Sequence, residues 1–170
     1  FLLSAPLLAS AAVTFQGGWE RGVLTGAGEW SNKQVMRSDS YKIVTDIVRT
    51  GNYAARVEVR PGDNPLSCCA GSERAEMHTL SKSDWTDMFE TPASGTKYFG
   101  FSVRLAEDFQ VPEWSVLFQL HGPDNLNTNP SVAIDLLGEN FVFANRGGNI
   151  TAQGSTNQHY TISPIVRGQW

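Results

Sequence analysis

Residues 114–121 read Trp-Ser-Val-Leu-Phe-Gln-Leu-His, and their alternation decides the fold class. In an extended chain, successive side chains point to opposite faces, so this pattern predicts a strand with one wholly apolar face. That apolar face would consist of Trp114, Val116, Phe118 and Leu120. The other face ends in Gln119 and His121, about 7 Å apart at two residues' rise. An amide beside an imidazole can bind a sugar or a carboxylate, and the imidazole can also move a proton, whereas the alternative is a plain half-exposed strand.

Length and composition favour one β-rich domain. The chain has 170 residues, shows no internal repeat and is 41% hydrophobic, which is enough for a core. Its 16 glycines and 8 prolines separate many short apolar runs, a composition typical of β structure. The formal net charge of -4 gives no reason to expect nucleic acid binding, so an acidic partner would require cations local to the site.

The first twelve residues resemble the end of a secretion signal. They are apolar and uncharged, and Ala9-Ser10-Ala11 fits the small-x-small pattern of a cleavage site. We therefore expect a residual signal over 1–12, a domain over 13–170, and a secreted or periplasmic protein with no membrane span. The adjacent Cys68 and Cys69 are too few for a disulfide framework and receive no catalytic role.

The rest of the chain predicts short strands separated by turns. The pattern favours an edge strand over 14–20 and a loop over 26–34. The predicted strands cover 41–48, 53–60, 72–80, 98–105, 114–121, 132–137, 140–146 and 160–166. No amphipathic helix of ten or more residues is apparent. The expected fold is an all-β sandwich or jelly roll.

Five segments in this order resemble secreted polysaccharide lyases of the heparin lyase I and glucuronan lyase group, which are concanavalin-like β-jelly rolls. The segments are Tyr53–Asp63, Ser72–Met77, Tyr98–Leu105, Trp114–Gly122 and Arg167–Trp170. The resemblance spans residues 51–170. It implies that the strand of Gln119-Leu-His121 lies in the substrate groove, and that a second groove strand carries Arg74-Ala-Glu76.

The resemblance also implies roles for individual residues. His121, Gln119 and Arg74 would be catalytic, while Glu76, which is expected to orient Arg74, and Arg146 would bind substrate. In that group a late strand carries a catalytic Tyr, and no residue here matches it. The group's pattern continues beyond Gly-x-Trp, so we expect a jelly roll that is incomplete at the C-terminus, and a fragment that is poorly soluble or inactive alone.

The implied reaction is β-elimination on an acidic, uronate-containing polysaccharide. A base removes the proton next to the carboxylate, and the glycosidic oxygen leaves. The carboxylate must be neutralised for that proton to become acidic, a task that suits Arg74 and Gln119. His121 would be the base, or would stabilise charge while a Tyr acts, and the sequence leaves this open. No cofactor or metal is implied, since no calcium-loop spacing occurs, and the expected state is a monomer.

Two other functions remain open. A glycoside hydrolase on the same fold would need two paired carboxylates, but the nearest echo of the motif, 133–139, has Ala133 where its first Glu should stand. A lectin-like binding domain would instead use tryptophans as stacking platforms. The tryptophans available for that role are Trp19, Trp30, Trp85 and Trp114.

Overall fold

The computed structural model describes residues 15–66, 71–78, 98–120, 130–147 and 156–170. These ranges contain eight strands and no helix. The strands are β1 Asn32–Gln34, β2 Tyr41–Val44, β3 Ala54–Val57, β4 Glu76–His78, β5 Trp114–Leu120, β6 Val132–Leu137, β7 Asn140–Gly147 and β8 Thr156–Pro164. The predicted all-β class is confirmed, and the antiparallel sheets are consistent with a jelly-roll sandwich.

The chain divides into two compact units, which meet in sequence between Gly100 and Phe101. The first unit contains two antiparallel strand pairs. In one pair β1 runs beside β4, and in the other β2 runs beside β3, with Tyr41 opposite Val57. The strand β1 falls in a segment that the sequence predicted to be a loop.

The second unit is built on a four-stranded antiparallel sheet in the order β5-β6-β7-β8. Each strand pairs with its neighbour in the chain, as expected for strands joined by short connections. The β6–β7 hairpin confirms the sequence prediction, because β6 covers 132–137 and β7 begins at Asn140. Gly138 occupies the tight turn with φ +56°, a left-handed conformation that glycine adopts without a Cβ penalty.

A β-bulge interrupts β5 and corrects the predicted alternation. Val116 lies opposite Asp135, yet Phe118 lies opposite Ile134, so Leu117 is the extra residue. Directly opposed residues share a face of the sheet. The inserted residue therefore reverses which face of the sheet each later side chain of β5 occupies, compared with strict alternation. A strict two-residue alternation across 114–121 is therefore wrong.

The bulge puts Gln119 on the same side of the sheet as polar side chains of the other three strands, here called the Gln119 face. Its register places on that face Trp114, Val116 and Gln119 from β5, Ala133 and Asp135 from β6, Ala144 and Arg146 from β7, and His159 from β8. Trp114, which the alternation placed in the core, is 53% exposed. Phe118 and Leu120 lie on the opposite face with Leu136.

The core of the second unit lies on that opposite face. Its buried members are Leu105, Leu136 and Ile165. Five partly buried side chains surround them: Val103, Phe109, Val111, Leu117 and Phe141. The bulged Leu117 thus contributes to the core.

The predicted strand over 98–105 is wrong. The apolar alternation is present, since Val103 and Leu105 both reach the core. However, a strand also needs a backbone partner, and no described strand pairs with this segment. The segment is instead tied to the end of the chain: the Gly168 N–H donates to the Leu105 carbonyl at 2.8 Å, and Arg104 Nε donates to the Gly168 carbonyl at 2.9 Å.

Other boundaries also differ from the sequence prediction. The strands β2, β3 and β4 are shorter than predicted, β8 starts and ends earlier, and no strand occupies 15–20. In particular, Arg74 precedes β4 and does not belong to it. The predicted signal remnant 1–12 and the cysteines Cys68 and Cys69 lie outside the described residues. In the described part of the chain, no helix is long and apolar enough to cross a membrane.

Candidate functional site

The centre of the Gln119 face has a floor of two alanines. Gln119, Ala133, Ala144 and His159 form one row across the four strands. Ala133 and Ala144 are fully buried, whereas His159 at the end of the row is exposed. Opposed Cβ atoms are about 5 Å apart, so the two methyl groups leave room above them for larger side chains reaching in from neighbouring positions.

Arg146 uses that room. Its backbone N–H donates to the Ser131 carbonyl at 2.8 Å. Its guanidinium reaches towards the neighbouring strand: Nη1 lies 3.4 Å from the carbonyl of Pro130, which precedes β6, and Nη2 lies 3.4 Å from Asp135 Oδ2 in β6. Contacts on both sides of Ala133 place the cation over that residue, and Gln119 stands directly opposite Ala133. The structure therefore brings together two of the sequence-predicted site residues, Gln119 and Arg146.

Asp135 anchors the Arg146 guanidinium on this face. It is 1% exposed, and its Oδ2 also accepts a hydrogen bond from Trp114 Nε1 at 3.3 Å. A buried carboxylate needs such donors, because leaving water is costly for a charge. The other oxygen, Oδ1, is buried and accepts no hydrogen bond from the described residues.

Two members of this face were not identified from the sequence. Asp135 falls within the segment 133–139 that echoes a hydrolase motif, and its signal is that it is a single charged residue inside the apolar run 132–137. His159 carried no signal, because its position opposite Ala144 depends on the strand register. His121, the predicted catalytic histidine, lies outside the described residues.

The first unit positions Arg74 and Glu76. Arg74 Nη1 lies 3.1 Å from Glu76 Oε2, and Nη2 lies 3.1 Å from Ser72 Oγ. The Arg74 side chain is 26% exposed, and its Nε is buried without a hydrogen-bond partner among the described residues. A guanidinium fixed in this way can still offer N–H groups to a carboxylate.

A turn over residues 60–63 supports Arg74 from behind. The Arg74 backbone N–H donates to the Asp63 carbonyl at 2.8 Å. The Asp63 side chain is fully buried; Arg37 Nε lies 2.5 Å from its Oδ1, and the Arg60 N–H donates to its Oδ2 at 2.9 Å. The hydrogen bond from Arg37 holds the pKa of Asp63 below its ordinary value, against the opposing effect of burial.

Tyr41 packs beneath the same segment. Its hydroxyl donates to the Ala75 carbonyl at 3.1 Å, and the residue is 7% exposed. Burial, and then the charge of Glu76, raise the pKa of the phenol well above its ordinary value. Tyr41 therefore stays protonated and acts as a donor to the backbone next to Arg74.

The strand β1 adds polar residues to this region. Gln34 lies opposite Glu76, and Asn32 lies opposite His78. Opposed residues share a face, so two amides stand beside the carboxylate and the imidazole. Because the sequence predicts a loop over 26–34, it does not predict that either amide lies beside Glu76 or His78.

A model of the polysaccharide lyase family matches residues 20–170. The chain belongs to this family. The match spans both compact units, so the Arg74 and Gln119 regions both fall inside it. No curated protein and no solved structure matches the chain. The narrower resemblance to the heparin lyase I and glucuronan lyase group remains a prediction.

In this lyase, Arg74 belongs to the first unit and Gln119 to the second. The prediction that both reach one substrate carboxylate therefore stays a prediction. Among the described residues of the lyase, no group of three His, Cys, Asp or Glu side chains is arranged to hold a metal ion.

The tryptophans of the lyase differ in what they offer a sugar. Trp19 and Trp30 stack on each other, with ring centroids 6.2 Å apart and planes 14° apart. Trp30 is also met edge-on by Phe15 at 5.3 Å. Trp114 is half exposed, and Trp85 lies outside the described residues. Of the four platforms suggested by the sequence, Trp114 is thus the one whose exposed ring lies on the Gln119 face.

Proposed function

We propose that this polysaccharide lyase cleaves an acidic, uronate-containing polysaccharide by β-elimination. The observation that carries the proposal is that Gln119 stands opposite Ala133 while the Arg146 guanidinium passes over it, on one face of the β5–β8 sheet. A guanidinium and an amide side by side can bind both oxygens of a carboxylate. Neutralising that carboxylate is the requirement for removing the neighbouring C5 proton.

Each residue of the site has a part in this reaction. Gln119 and Arg146 hold the uronate carboxylate and stabilise the negative charge that develops on it. Arg74, oriented by Glu76, supplies a second cation. His121 removes the C5 proton, or stabilises charge while a tyrosine does so, and the glycosidic oxygen leaves from C4 to create a carbon–carbon double bond.

The contacts of the carboxylates weigh against hydrolysis. A glycosidase needs two free carboxyl groups facing the scissile bond. Asp135 is buried and paired with Arg146. Glu139 forms two hydrogen bonds with Arg167, at 2.9 and 3.0 Å, which lower the pKa of its carboxyl. Neither group is placed as a free acid or base.

The apolar, signal-like segment 1–12 supports export, so we propose that the lyase meets its polysaccharide outside the cytoplasm.

A purely lectin-like role is the second candidate, because the half-exposed Trp114 lies on the same face as Gln119. The two roles are separated by product chemistry, since a lectin leaves the polymer intact.

The test incubates the protein with glucuronan, alginate and a heparin-like polymer, and with carboxyl-reduced forms of each. A lyase produces a C4–C5 double bond, which absorbs in the ultraviolet, whereas a hydrolase releases reducing ends without that absorbance. We expect ultraviolet-absorbing product from at least one native polymer and none from its reduced form. Undiminished cleavage of a reduced polymer, or binding with no cleavage of any polymer, would overturn the proposal.

A further inference from the structure

We infer that Trp114 forms a second sugar-binding position on the Gln119 face, and that Asp135 is the positioning residue that ties it to Arg146. The inference rests on the proposed function, because it takes the Gln119 face as the side on which the polysaccharide lies. The ligand at this position would be the pyranose ring of a neighbouring sugar in the same acidic polymer.

The surroundings of Trp114 are those of a fixed stacking platform. The residue is 53% exposed, although it stands within a strand. Its indole is tethered at one edge, since Nε1 donates to the buried Asp135 Oδ2 at 3.3 Å. An aromatic ring held at its polar edge exposes its apolar surface at little cost in conformational entropy, which suits the apolar face of a sugar ring.

Asp135 connects this platform to the cation. The same Oδ2 meets Trp114 Nε1 at 3.3 Å and Arg146 Nη2 at 3.4 Å. The two donors are therefore no more than about 7 Å apart, close to the width of one sugar ring. The Arg146 side chain is only 10% exposed and Asp135 1%, so both charges are largely removed from water and depend on each other's position.

The spacing along β5 separates this position from that of the reacting sugar. Trp114 and Gln119 lie on the same face with the bulge between them, about 14 Å apart at the usual rise of a strand. That distance exceeds the length of one sugar unit. A polymer lying along β5 would place one uronate beside Gln119 and Arg146 and a later sugar over Trp114.

The experiment measures how affinity depends on substrate length. Oligoglucuronates from disaccharide to hexasaccharide are titrated calorimetrically into the His121→Ala protein, which is expected not to cleave them, and kcat/KM is measured for the unaltered protein by ultraviolet absorbance. The variants are Trp114→Ala, Asp135→Asn and the pair combined. Trp170→Ala is the matched control, because Trp170 is 46% exposed and belongs to the same unit.

We expect Kd to improve stepwise with length, by about tenfold when a sugar first reaches Trp114. Trp114→Ala should abolish that step, and Asp135→Asn should reduce it. The double variant should lose no more of that length step than Trp114→Ala alone, because the step depends on one indole, whereas the contact of Asp135 with Arg146 affects every length. Trp170→Ala should keep the step.

A length dependence that survives Trp114→Ala would overturn the inference, and so would additive losses of the length step in the double variant. A loss of the same size for every oligosaccharide in Trp114→Ala would indicate general damage and would also count against the inference. If no ultraviolet product forms but the Kd step at Trp114 is found, the proposed reaction fails and the second sugar-binding position stands. If product forms and the step is absent, the reaction stands and the inference fails.

Discussion

Gln119 lies directly opposite Ala133 in the register of β5 and β6, and the Arg146 guanidinium passes over the same alanine. This relationship exists because Leu117 is inserted as a β-bulge two residues before Gln119. The bulge leaves Leu117 in the core while Gln119 joins the face of Asp135. A small floor residue thus leaves room for the Arg146 guanidinium beside the position of Gln119.

We expect Ala133→Val to reduce kcat/KM by more than its loss of folding stability would explain. Two added methyl groups would displace the Arg146 guanidinium, and overpacking of this size costs about 1–3 kcal/mol. Ala54→Val is the control, because Ala54 is also buried but belongs to the strand pair of the first unit. Ultraviolet assays and thermal unfolding of both variants give the comparison. Equal losses of kcat/KM in the two would show that the floor beneath Arg146 has no special role.

We expect His121→Ala to lower kcat by about 10²–10⁴-fold, the usual contribution of a general acid or base. His159 provides the comparison, since it lies in the row of Gln119 at the far edge of the sheet and is exposed. His159→Ala should lower kcat by less than His121→Ala does. Initial rates on the preferred polymer at saturating concentration measure the difference. Retention of most turnover by His121→Ala would remove this residue from the mechanism.

The sequence predicted features that depend on neighbouring residues better than features that depend on residues far apart in the chain. The hairpin around Gly138 was right, because its turn residue and the alternation of both strands are adjacent in the chain. The segment 98–105 has an equally clear alternation, but strand formation depends on a partner from elsewhere. Alternation assigns side chains to faces, as Val103 and Leu105 show, without supplying backbone hydrogen bonds.

The site was predictable in its residue types and less so in its geometry. A polar Gln119 at the end of an apolar strand and a cation at Arg146 were visible in the sequence. The bulge at Leu117 was not, because β-bulges have no strong residue signature and arise from the pairing of two strands. For the same reason, Trp114, which the alternation places in the core, instead contacts Asp135 on the other face.

We expect the first unit to lose stability in acid through Asp63. The hydrogen bond from Arg37 places the folded pKa of Asp63 below the unfolded value of about 3.9. Its stabilising effect is therefore complete above that value and is lost as the pH falls through the lower folded pKa. Thermal unfolding between neutral pH and the acid range measures this loss.

The variant Asp63→Asn separates this carboxyl from other acidic groups. It should lower the unfolding temperature at neutral pH and flatten the acid dependence, because the group that titrates is gone. Glu58→Gln is the comparison: Glu58 also has a lowered pKa, from its hydrogen bond to Arg60, but its side chain is 31% exposed. An acid profile that stays unchanged in Asp63→Asn would mean that other carboxylates dominate.

We expect Arg74→Ala to lose activity chiefly on substrates whose uronates are charged. The fixed guanidinium should favour a carboxylate over its neutral methyl ester, so the unaltered lyase should cleave the acid form faster. Arg74→Ala should narrow that preference, with the larger loss in kcat/KM on the acid form. Glu76→Gln is the matched variant, because an amide oxygen can still accept the hydrogen bond that Glu76 Oε2 now receives from Arg74 Nη1 at 3.1 Å. It should therefore keep most of the preference. Equal losses of Arg74→Ala on acid and ester polymers would show that Arg74 supports the fold of its segment and does not meet the substrate's charge.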